Sequence, residues 1–477
     1  MKLKPTLTQM WESPVLTTWG GLLIRSAGLA VMMPLILANF PEEEVALWYL
    51  FASLIAFQVL FQFGFVPTFI RCLSYARAGA ESIKAIDETI TEPSGVGTSN
   101  VQLIYEIIGV IRRVYVFIIG VLLIFILFGS PLLLWKPIQN VEEIQSGWLA
   151  WILVAVGSLA SVYGTQFAAT LQGMSQVPLF RRNEMAFSFL ELVFGVIVLV
   201  IEPNLVYLAL NQLLWRLSLA IRLRAITQNH LNTHDIQWSA CTYSKTTFQD
   251  IWPATWRSGI GSLASTGSTQ LSGIVYAQLD NPAGLASYLI GLRLVTFFST
   301  FSMAPFYSRI PDMAKLYGEG KQSKLLKDAG GYIRLGHLVF SVLVVSALLL
   351  GERIFQYLGS DTSFPDAAIW ILLSLAFLAH RHGAYFIQLF SLSNKIIWHI
   401  ADSFSAVLVF LGMFLLVTRY GMVGLPAGIL IGMLSFYFWY PAFKCRKMYH
   451  LRLTSFEIST FGPALLIMIL GCLGYWI

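Results

Sequence analysis

Four arginines lie inside long apolar stretches of this 477-residue sequence, where a charged side chain is costly. They are Arg25, Arg216, Arg293 and Arg381. A charge at the centre of a bilayer costs about 2.5 kcal/mol or more, so such residues usually face a bundle interior or a wet cavity. Only two acids, Glu191 and Asp402, lie at comparable depth, so pairing within the chain cannot neutralise all four arginines. This excess predicts a basic cavity for an anionic substrate, because a guanidinium offers phosphate paired donors in a fixed geometry.

The four arginines are not equivalent candidates. Arg25, Arg293 and Arg381 are predicted to bind the substrate. For Arg216 the favoured interpretation is structural, because it could pair with Glu191 on a neighbouring helix or snorkel towards the interface.

Two histidines flank Arg381 and add a titratable element. Histidine titrates near neutral pH, so His380 and His382 are candidates for ion coupling, as are the acids Glu191 and Asp402. For the two acids a structural pairing is the favoured alternative. Successive residues on a helix point about 100° apart, so His380, Arg381 and His382 cannot all face one cavity.

The seventh candidate span, 258–279, is the least apolar of the candidate spans, and it begins with a polar stretch from Ser258 to Gln270. Its small residues at four-residue spacing suit close helix packing. It also carries more hydroxyl and amide groups than packing requires. Ser265, Thr269 and Gln270 are therefore predicted to hydrogen-bond a sugar or amide group of the substrate.

The sequence contains no motif of a known catalytic or nucleotide-binding type. A glycine-rich phosphate loop ending in Lys-Ser/Thr, a histidine pair with metal-ligand spacing and Gly-x-Ser-x-Gly are all missing. We therefore predict a protein that is not an enzyme, with no catalytic residue, bound metal or cofactor. The four cysteines have neither metal-site nor redox spacing and are expected to be free thiols.

Composition predicts an all-α polytopic membrane protein. Apolar residues make up 56% and charged residues 12% of the chain, against about 25% charged residues in an average soluble domain. A bilayer core needs about 20 apolar residues per helix. Thirteen candidate spans satisfy this requirement: 15–37, 44–66, 107–128, 147–169, 185–201, 204–221, 258–279, 284–306, 335–351, 366–390, 396–418, 422–442 and 457–477.

Charge in the connections predicts the orientation. One set of connections holds most of the lysines and arginines, whereas the other set holds only Lys136, Arg353 and Arg419. By the positive-inside rule the N-terminus is cytoplasmic. The last candidate span, if it crosses, puts the C-terminus outside.

The chain also carries a faint internal repeat. Tyr49-Leu50 opens an apolar run that closes with Pro67-x-x-x-Arg71, and Tyr288-Leu289 opens another that closes with Pro305-x-x-x-Arg309. The two copies fall in the second and eighth candidate spans, which predicts two parallel six-helix pseudo-repeats. The predicted lobes are residues 1–230 and 231–450, with residues 451–477 as an additional C-terminal transmembrane helix.

Several loose motifs resemble a known transporter family. They are Gly64 to Arg71, Leu171 to Gly173, Gly284 to Leu289 and Tyr420 to Gly428. The sequence resembles Wzx-type oligosaccharide flippases and polysaccharide transporters of the multidrug/oligosaccharidyl-lipid/polysaccharide exporter superfamily. That resemblance implies a V-shaped bundle of 12–13 transmembrane helices with a central cavity.

The same resemblance implies a function. Such proteins move undecaprenyl-diphosphate-linked oligosaccharide repeat units across the bacterial inner membrane by alternating access, for O-antigen, capsule or exopolysaccharide assembly. The implied partners are the lipid-linked oligosaccharide, membrane lipids and a polysaccharide polymerase with chain-length machinery, and no nucleic acid. The alternatives are a multidrug-type exporter of the same superfamily, a membrane polysaccharide polymerase or ligase, and a structural membrane scaffold.

Overall fold

In the computed structural model, the described chain comprises residue 28 and residues 30–56, 58–80, 82–83, 99–278, 282–393, 397–451 and 453–476. Its regular structure is entirely helical. The α-helices of eight or more residues are α1 (Ala30–Asn39), α2 (Glu42–Ala56), α3 (Phe65–Arg77), α4 (Val101–Ile124), α5 (Ser130–Gln139), α6 (Ile144–Gly173), α7 (Val177–Ile201), α8 (Leu205–Asn232), α9 (Lys245–Tyr276), α10 (Pro282–Tyr307), α11 (Ile310–Gly318), α12 (Gln322–Tyr357), α13 (Ala367–Ser391), α14 (Trp398–Tyr420), α15 (Gly424–Gly432), α16 (Trp439–Tyr449), α17 (Leu453–Thr460) and α18 (Gly462–Trp476). One further α-helical turn, Gln58–Phe61, lies between α2 and α3.

Two π-helical segments join successive helices, and asparagine side chains cap the N-termini of two helices. Phe125–Gly129 continues α4 into α5, and Met433–Tyr437 continues α15 into α16. Asn100 and Asn204 cap α4 and α8, each accepting a hydrogen bond from a first-turn amide. An asparagine at this position satisfies a backbone donor that the helix itself leaves unpaired.

Seven helical segments of the described chain are long and apolar enough to cross a membrane, and α1 and α18 are shorter apolar helices. The all-α polytopic membrane fold is therefore confirmed. Each candidate span from the second onwards coincides at least in part with a described helix. Most of the first, 15–37, lies outside the described residues.

The two copies of the internal repeat fold differently. The first breaks between α2 and α3, where Phe63 and Gly64 adopt left-handed backbone angles (φ 43° and 71°). Pro67 then lies in the first turn of α3, where its missing N–H costs nothing. The second copy is the continuous helix α10, which ends two residues after Pro305. Nearly equal spacings of tyrosine and proline, 18 residues in the first copy and 17 in the second, therefore accompany one broken and one continuous helix.

The described helices group into two compact units. The first contains the described residues up to Asn39 and Leu54–Ile260, and the second contains Phe40–Ser53 and the described residues from Gly261 onwards. The predicted lobe boundaries at 230 and 450 stay predictions, as do the V shape and the central cavity.

Helix α6 is the centre of the first unit and packs against α3, α4, α7 and α8. Glycines allow its closest approach to α8. A Cβ added at Gly157 would lie 3.3 Å from the Leu213 Cα, and one at Gly164 would lie 3.3 Å from the Ala220 Cα. Small residues of this kind let membrane helices pack backbone to backbone.

Helix α13 is the centre of the second unit and packs against α10, α12, α15 and α16. Beside it, α14 and α15 form a tight pair. A Cβ at Gly424, Gly428 or Gly432 would meet α14 backbone atoms within 2.3–2.5 Å. The four-residue spacing of these glycines therefore places one bare face of α15 against α14. The C-terminal helices α17 and α18 pack on α12.

Candidate functional site

The second unit contains a cavity of about 280 Å³ between α9, α10, α13 and the α15 region. Its polar lining consists of one amide, three hydroxyls and one imidazole. The lining residues are Gln270, Thr296, Ser299, Thr300, Met303, Ala376, Phe377, His380, Ile429 and Met433. Two residues predicted from the sequence, Gln270 and His380, thus share one cavity.

The polar wall of this cavity is rich in hydrogen-bond acceptors. The Thr296 hydroxyl donates to the Leu292 carbonyl at 2.6 Å, and the Thr300 hydroxyl donates to the Thr296 carbonyl at 2.9 Å. A hydroxyl that donates its hydrogen bond to a backbone carbonyl keeps its oxygen lone pairs as acceptors. The Gln270 Oε1 is buried and has no hydrogen-bond partner among the described residues. The wall therefore suits a ligand that brings donors.

Arg293 lies on the same face of α10 as the cavity hydroxyls. It precedes Thr296 by three residues and Thr300 by seven, a spacing that aligns side chains along one helix face. It is not itself a lining residue, but its half-buried guanidinium has a buried Nη2 without a hydrogen-bond partner among the described residues. The Tyr49 side chain is close enough to interact with it electrostatically. A guanidinium with one unpartnered nitrogen therefore lies one helical turn along α10 from the cavity residue Thr296.

His380 connects the cavity to a buried acid. Its ring stacks on the Tyr437 ring with centroids 4.8 Å apart and an interplanar angle of 14°. The Tyr437 side chain in turn hydrogen-bonds Asp402, which is 7% exposed. Tyr437 ends the π-helical segment, a geometry that often marks functional positions. His380, Tyr437 and Asp402 therefore form one contact series that starts at the cavity wall.

The Arg381 side chain points into the packed core of the second unit. It is fully buried and donates to the carbonyls of Ser299 (2.7 Å) and Gly336 (2.9 Å). It also donates to the Tyr385 hydroxyl at 2.8 Å and to the Ser302 hydroxyl. The substrate role predicted for Arg381 stays a prediction, and this geometry favours a brace between α10, α12 and α13.

His382 faces a third direction, as helical geometry requires. Its Nε2 lies 3.4 Å from the Glu457 Oε1 of α17, and its ring stacks on Phe438 at 4.2 Å. The neighbouring His337 ring lies 5.7 Å away, with its Nδ1 3.3 Å from the Thr460 carbonyl. This pair of histidines holds α17 against α12 and α13. The coupling role predicted for His382 stays a prediction.

Glu191 belongs to the first unit and is paired there. The Arg216 Nε lies 3.9 Å from the Glu191 Oε1. The ion pair that the sequence allowed between α7 and α8 is therefore present. The side chains keep 23% and 33% of their exposure, and the coupling role predicted for Glu191 stays a prediction.

The side chains of three predicted binding residues lie outside the described part of the chain. Arg25 lies outside the described residues. Ser265 and Thr269 lie on helix α9, but their side chains are outside the described part of the chain. Their predicted contacts with substrate stay predictions. Among the described residues, no group of three or more His, Cys, Asp or Glu side chains could hold a metal ion.

Sequence reasoning missed three groups at this cavity. Thr296 and Thr300 carried a usable signal, since both share a helix face with Arg293. Tyr437 carried none, because it lies in an apolar aromatic run and meets Asp402 only through packing of the π-helical segment.

No protein-family model matches the sequence, and no curated protein matches it. Solved structures match along nearly the whole chain. An inward-facing multidrug resistance MATE family transporter of the MOP superfamily matches with a TM-score of 0.62 at 14% identity, covering 91% of this chain and 95% of that one. The lipid II flippase MurJ matches with a TM-score of 0.56 at 13% identity, covering 97% of each chain.

A MOP superfamily transporter from Pyrococcus furiosus, reported to have a binding pocket of reversed polarity, matches with a TM-score of 0.55 at 13% identity. That match covers 95% of this chain and 99% of the other. Identities this low show the fold alone, so the narrower resemblance to oligosaccharide flippases stays a prediction. This multi-pass membrane chain has the helical fold of the MOP superfamily transporters.

Proposed function

We propose that this chain is a flippase that moves an undecaprenyl-diphosphate-linked oligosaccharide repeat unit across the bacterial inner membrane by alternating access. The observation that carries the proposal is the acceptor-lined cavity with the unsatisfied guanidinium of Arg293 on the same helix face. A lipid-linked oligosaccharide has both matching chemistries, hydroxyl donors on its sugars and negative charge on its diphosphate. The fold is one that a lipid II flippase also has.

The sugar end fits the cavity by hydrogen-bond type. Gln270, Thr296 and Thr300 present acceptors, which sugar hydroxyls satisfy by donation. The volume of about 280 Å³ is at the low end of the range for small-molecule pockets, about 300–1,000 Å³. This cavity would therefore hold one sugar residue, with the remainder of the oligosaccharide outside it.

The diphosphate end fits Arg293 by charge. A guanidinium keeps its proton and donates to two phosphate oxygens at once. Arg381 has no such capacity in this conformation, because it is fully buried and both of its terminal nitrogens are already bound to neutral acceptors in the core. We therefore assign phosphate binding to Arg293, together with Arg25 from the sequence argument.

For ion coupling we favour His380, Tyr437 and Asp402 over the other candidates. These three are in contact with one another and begin at the cavity. Glu191 is already paired with Arg216, and His382 is already in contact with Glu457. A proton gained at His380 would place a positive charge on the cavity wall.

The N-terminus is proposed to be cytoplasmic. Polymerase and chain-length machinery are proposed to act downstream of transport.

The deciding experiment is lipid analysis of a strain that lacks this gene, complemented with variants. Loss of the protein should accumulate lipid-linked repeat units on the cytoplasmic leaflet and lower surface glycan. Arg293→Ala should fail to restore transport at normal expression, whereas Arg293→Lys should restore part of it because the charge remains. Arg353→Ala is the matched control, since Arg353 is an exposed arginine.

Two outcomes would overturn the proposal. Repeat units that cross normally but stay unpolymerised would identify a downstream enzyme or partner. Full transport by Arg293→Ala would remove Arg293 from the site.

A multidrug exporter is the second candidate function. The cavity lining contains no arginine or lysine and several apolar residues, which would also suit a cationic compound. This candidate predicts that the strain lacking the gene shows unchanged glycan and a lower efflux of cationic dyes.

A further inference from the structure

The first unit contains a separate aromatic groove between the α2–α3 break, α4 and the start of α9. Its volume is about 520 Å³, larger than that of the cavity in the second unit. We call it the Arg113 groove. It is lined by Leu60, Phe61, Phe63, Phe65, Arg113, Val114, Phe117, Ile118, Tyr243, Phe248 and Trp252.

The break in the first repeat copy shapes this groove. The left-handed backbone at Phe63 and Gly64 brings the Phe63 ring against α9, where a Cβ on Gly259 would lie 2.6 Å from it. The Phe63 and Trp252 rings stack with centroids 6.0 Å apart. Phe248 adds a further ring 5.9 Å from Trp252. The wall is therefore a continuous aromatic surface.

The segment before α9 is fixed to α4 and closes the other side of the groove. Arg112 Nη1 donates to the carbonyls of Trp238 (2.8 Å), Ser239 (3.1 Å) and Cys241 (3.1 Å). A Cβ on Gly109 would overlap the Thr242 carbonyl oxygen at 1.9 Å. This segment therefore lies directly on the α4 backbone, and the groove is built into the fold.

Arg113, the residue after Arg112, is available to bind a ligand. Arg113 is exposed, and the described residues place no carboxylate within ion-pair distance of it. Arg112 is hydrogen-bonded to three carbonyls, whereas Arg113 presents an uncompensated charge to an apolar groove. A ligand that joins one negative charge to an apolar chain would satisfy both features.

The position of Arg113 along α4 places it at the membrane surface. Residues 114–135, which follow it, carry no charged side chain, and a run of that length spans the bilayer core of about 30 Å. Tyr243 and Trp252 line the groove at its exposed rim, and tyrosine and tryptophan are enriched at headgroup level. Phe117, one turn deeper, is 71% exposed. The groove thus runs from headgroup level into the acyl region.

We propose that the Arg113 groove binds an anionic phospholipid of the adjacent leaflet, with its phosphate on Arg113 and one acyl chain along the aromatic wall. Charge decides between the lipid sources. One unpaired cation matches the single negative charge of a phosphodiester, whereas a diphosphate carrier brings more charge than one arginine balances. This site is distinct from the cavity of the second unit and does not depend on the proposed transport function.

The test is native mass spectrometry of the purified full-length protein in detergent with added phosphatidylglycerol or phosphatidylcholine. The protein should retain phosphatidylglycerol preferentially. Arg113→Ala should lower its retention about tenfold, the size expected for loss of one charged hydrogen bond, and Arg113→Lys should lower it less. Arg224→Ala, at another exposed arginine of the first unit, should behave as wild type.

A second pair of variants tests the groove wall itself. Trp252→Ala should lower retention of the lipid, whereas Trp256→Ala, one turn along α9 and 40% exposed but outside the groove, should not. Phe117→Ala provides an exposed wall position where misfolding is not expected.

Three results would overturn the proposal. They are equal retention of the two phospholipids, unchanged retention of phosphatidylglycerol by Arg113→Ala, and displacement of phosphatidylglycerol by an equimolar polyprenyl diphosphate, which would identify the carrier lipid as the occupant. The assay involves neither an oligosaccharide nor transport, so these results leave the flippase proposal untouched.

Discussion

Arg216 in the first unit and Arg381 in the second are both arginines that the sequence predicts to lie at membrane depth, and their surroundings differ. Arg216 lies 3.9 Å from a carboxylate, and both partners keep part of their exposure. Arg381 is fully buried and binds two carbonyls and two hydroxyls. Its ring neighbour Phe340, 4.7 Å from the guanidinium carbon, adds a cation–π contact.

The difference shows that an arginine needs no acid to be accommodated at depth. Several neutral acceptors and an aromatic face can together stabilise its charge, so counting acids and arginines in a sequence overestimates how many arginines a substrate can reach. Arg381 binds through both of its terminal nitrogens and leaves only the inner Nε without a partner, whereas the terminal Nη2 of the half-buried Arg293 has none among the described residues. The comparison therefore favours Arg293 as the binding candidate, because its unpartnered nitrogen is at the end of the side chain.

The largest effect is expected at Arg381. Arg381→Ala removes four hydrogen bonds and leaves a cavity between α10, α12 and α13, so the free energy of unfolding should fall by about 3–5 kcal/mol. Arg381→Lys should also be strongly destabilised, because one ammonium group cannot reproduce the hydrogen bonds that the two terminal nitrogens of the guanidinium donate. Thermal unfolding in detergent measures both, with the exposed Arg353→Ala as control. A native-like melting temperature for Arg381→Ala combined with lost transport would instead show a substrate role.

A smaller effect is expected at the Asp402–Tyr437 contact. Tyr437→Phe leaves the buried Asp402 carboxyl without this donor, so stability should fall by about 1–3 kcal/mol. Asp402→Asn keeps a hydrogen-bonding group and should cost less. If the series beginning at His380 also couples ions, both variants should alter the response of transport in liposomes to an imposed pH gradient. An unaltered response would limit the contact to a structural role.

The ion pair of the first unit should contribute about 1 kcal/mol or less, because both side chains are partly exposed. The measurement is a double-mutant cycle with Arg216→Gln and Glu191→Gln, followed by unfolding in detergent. A coupling energy near zero between Arg216 and Glu191 would indicate that Arg216 snorkels towards the interface instead of pairing. Coupling as large as the loss at Arg381 would remove the contrast between the units.

The smallest effect is expected at Glu457, whose partner His382 is packed among aromatic rings. Glu457→Gln keeps a neutral acceptor, so its cost should stay below about 1 kcal/mol. Hydrogen exchange in α17 and α18 is the sensitive measurement, because the contact joins them to α13. Faster exchange in these two helices alone would support a local attachment, whereas global destabilisation would contradict it.

Local pattern accounts for much of the fold. The candidate spans coincide with described helices because hydropathy is a sum over neighbouring residues, and a membrane helix satisfies its own backbone. The helix break near Phe63 was not predicted. Gly64 favours such a turn but does not require it, and the aromatic contacts with α9 come from residues nearly two hundred positions away.

By itself the sequence determined that this is an all-α, multi-pass membrane protein and that His380, Arg381 and His382 point in different directions. Only the tertiary structure decided that His380 lies on a cavity, Arg381 in the core and His382 against the C-terminal helices. The physical reason is that a helix fixes the angles between its own side chains, whereas the neighbours that each side chain meets come from distant helices.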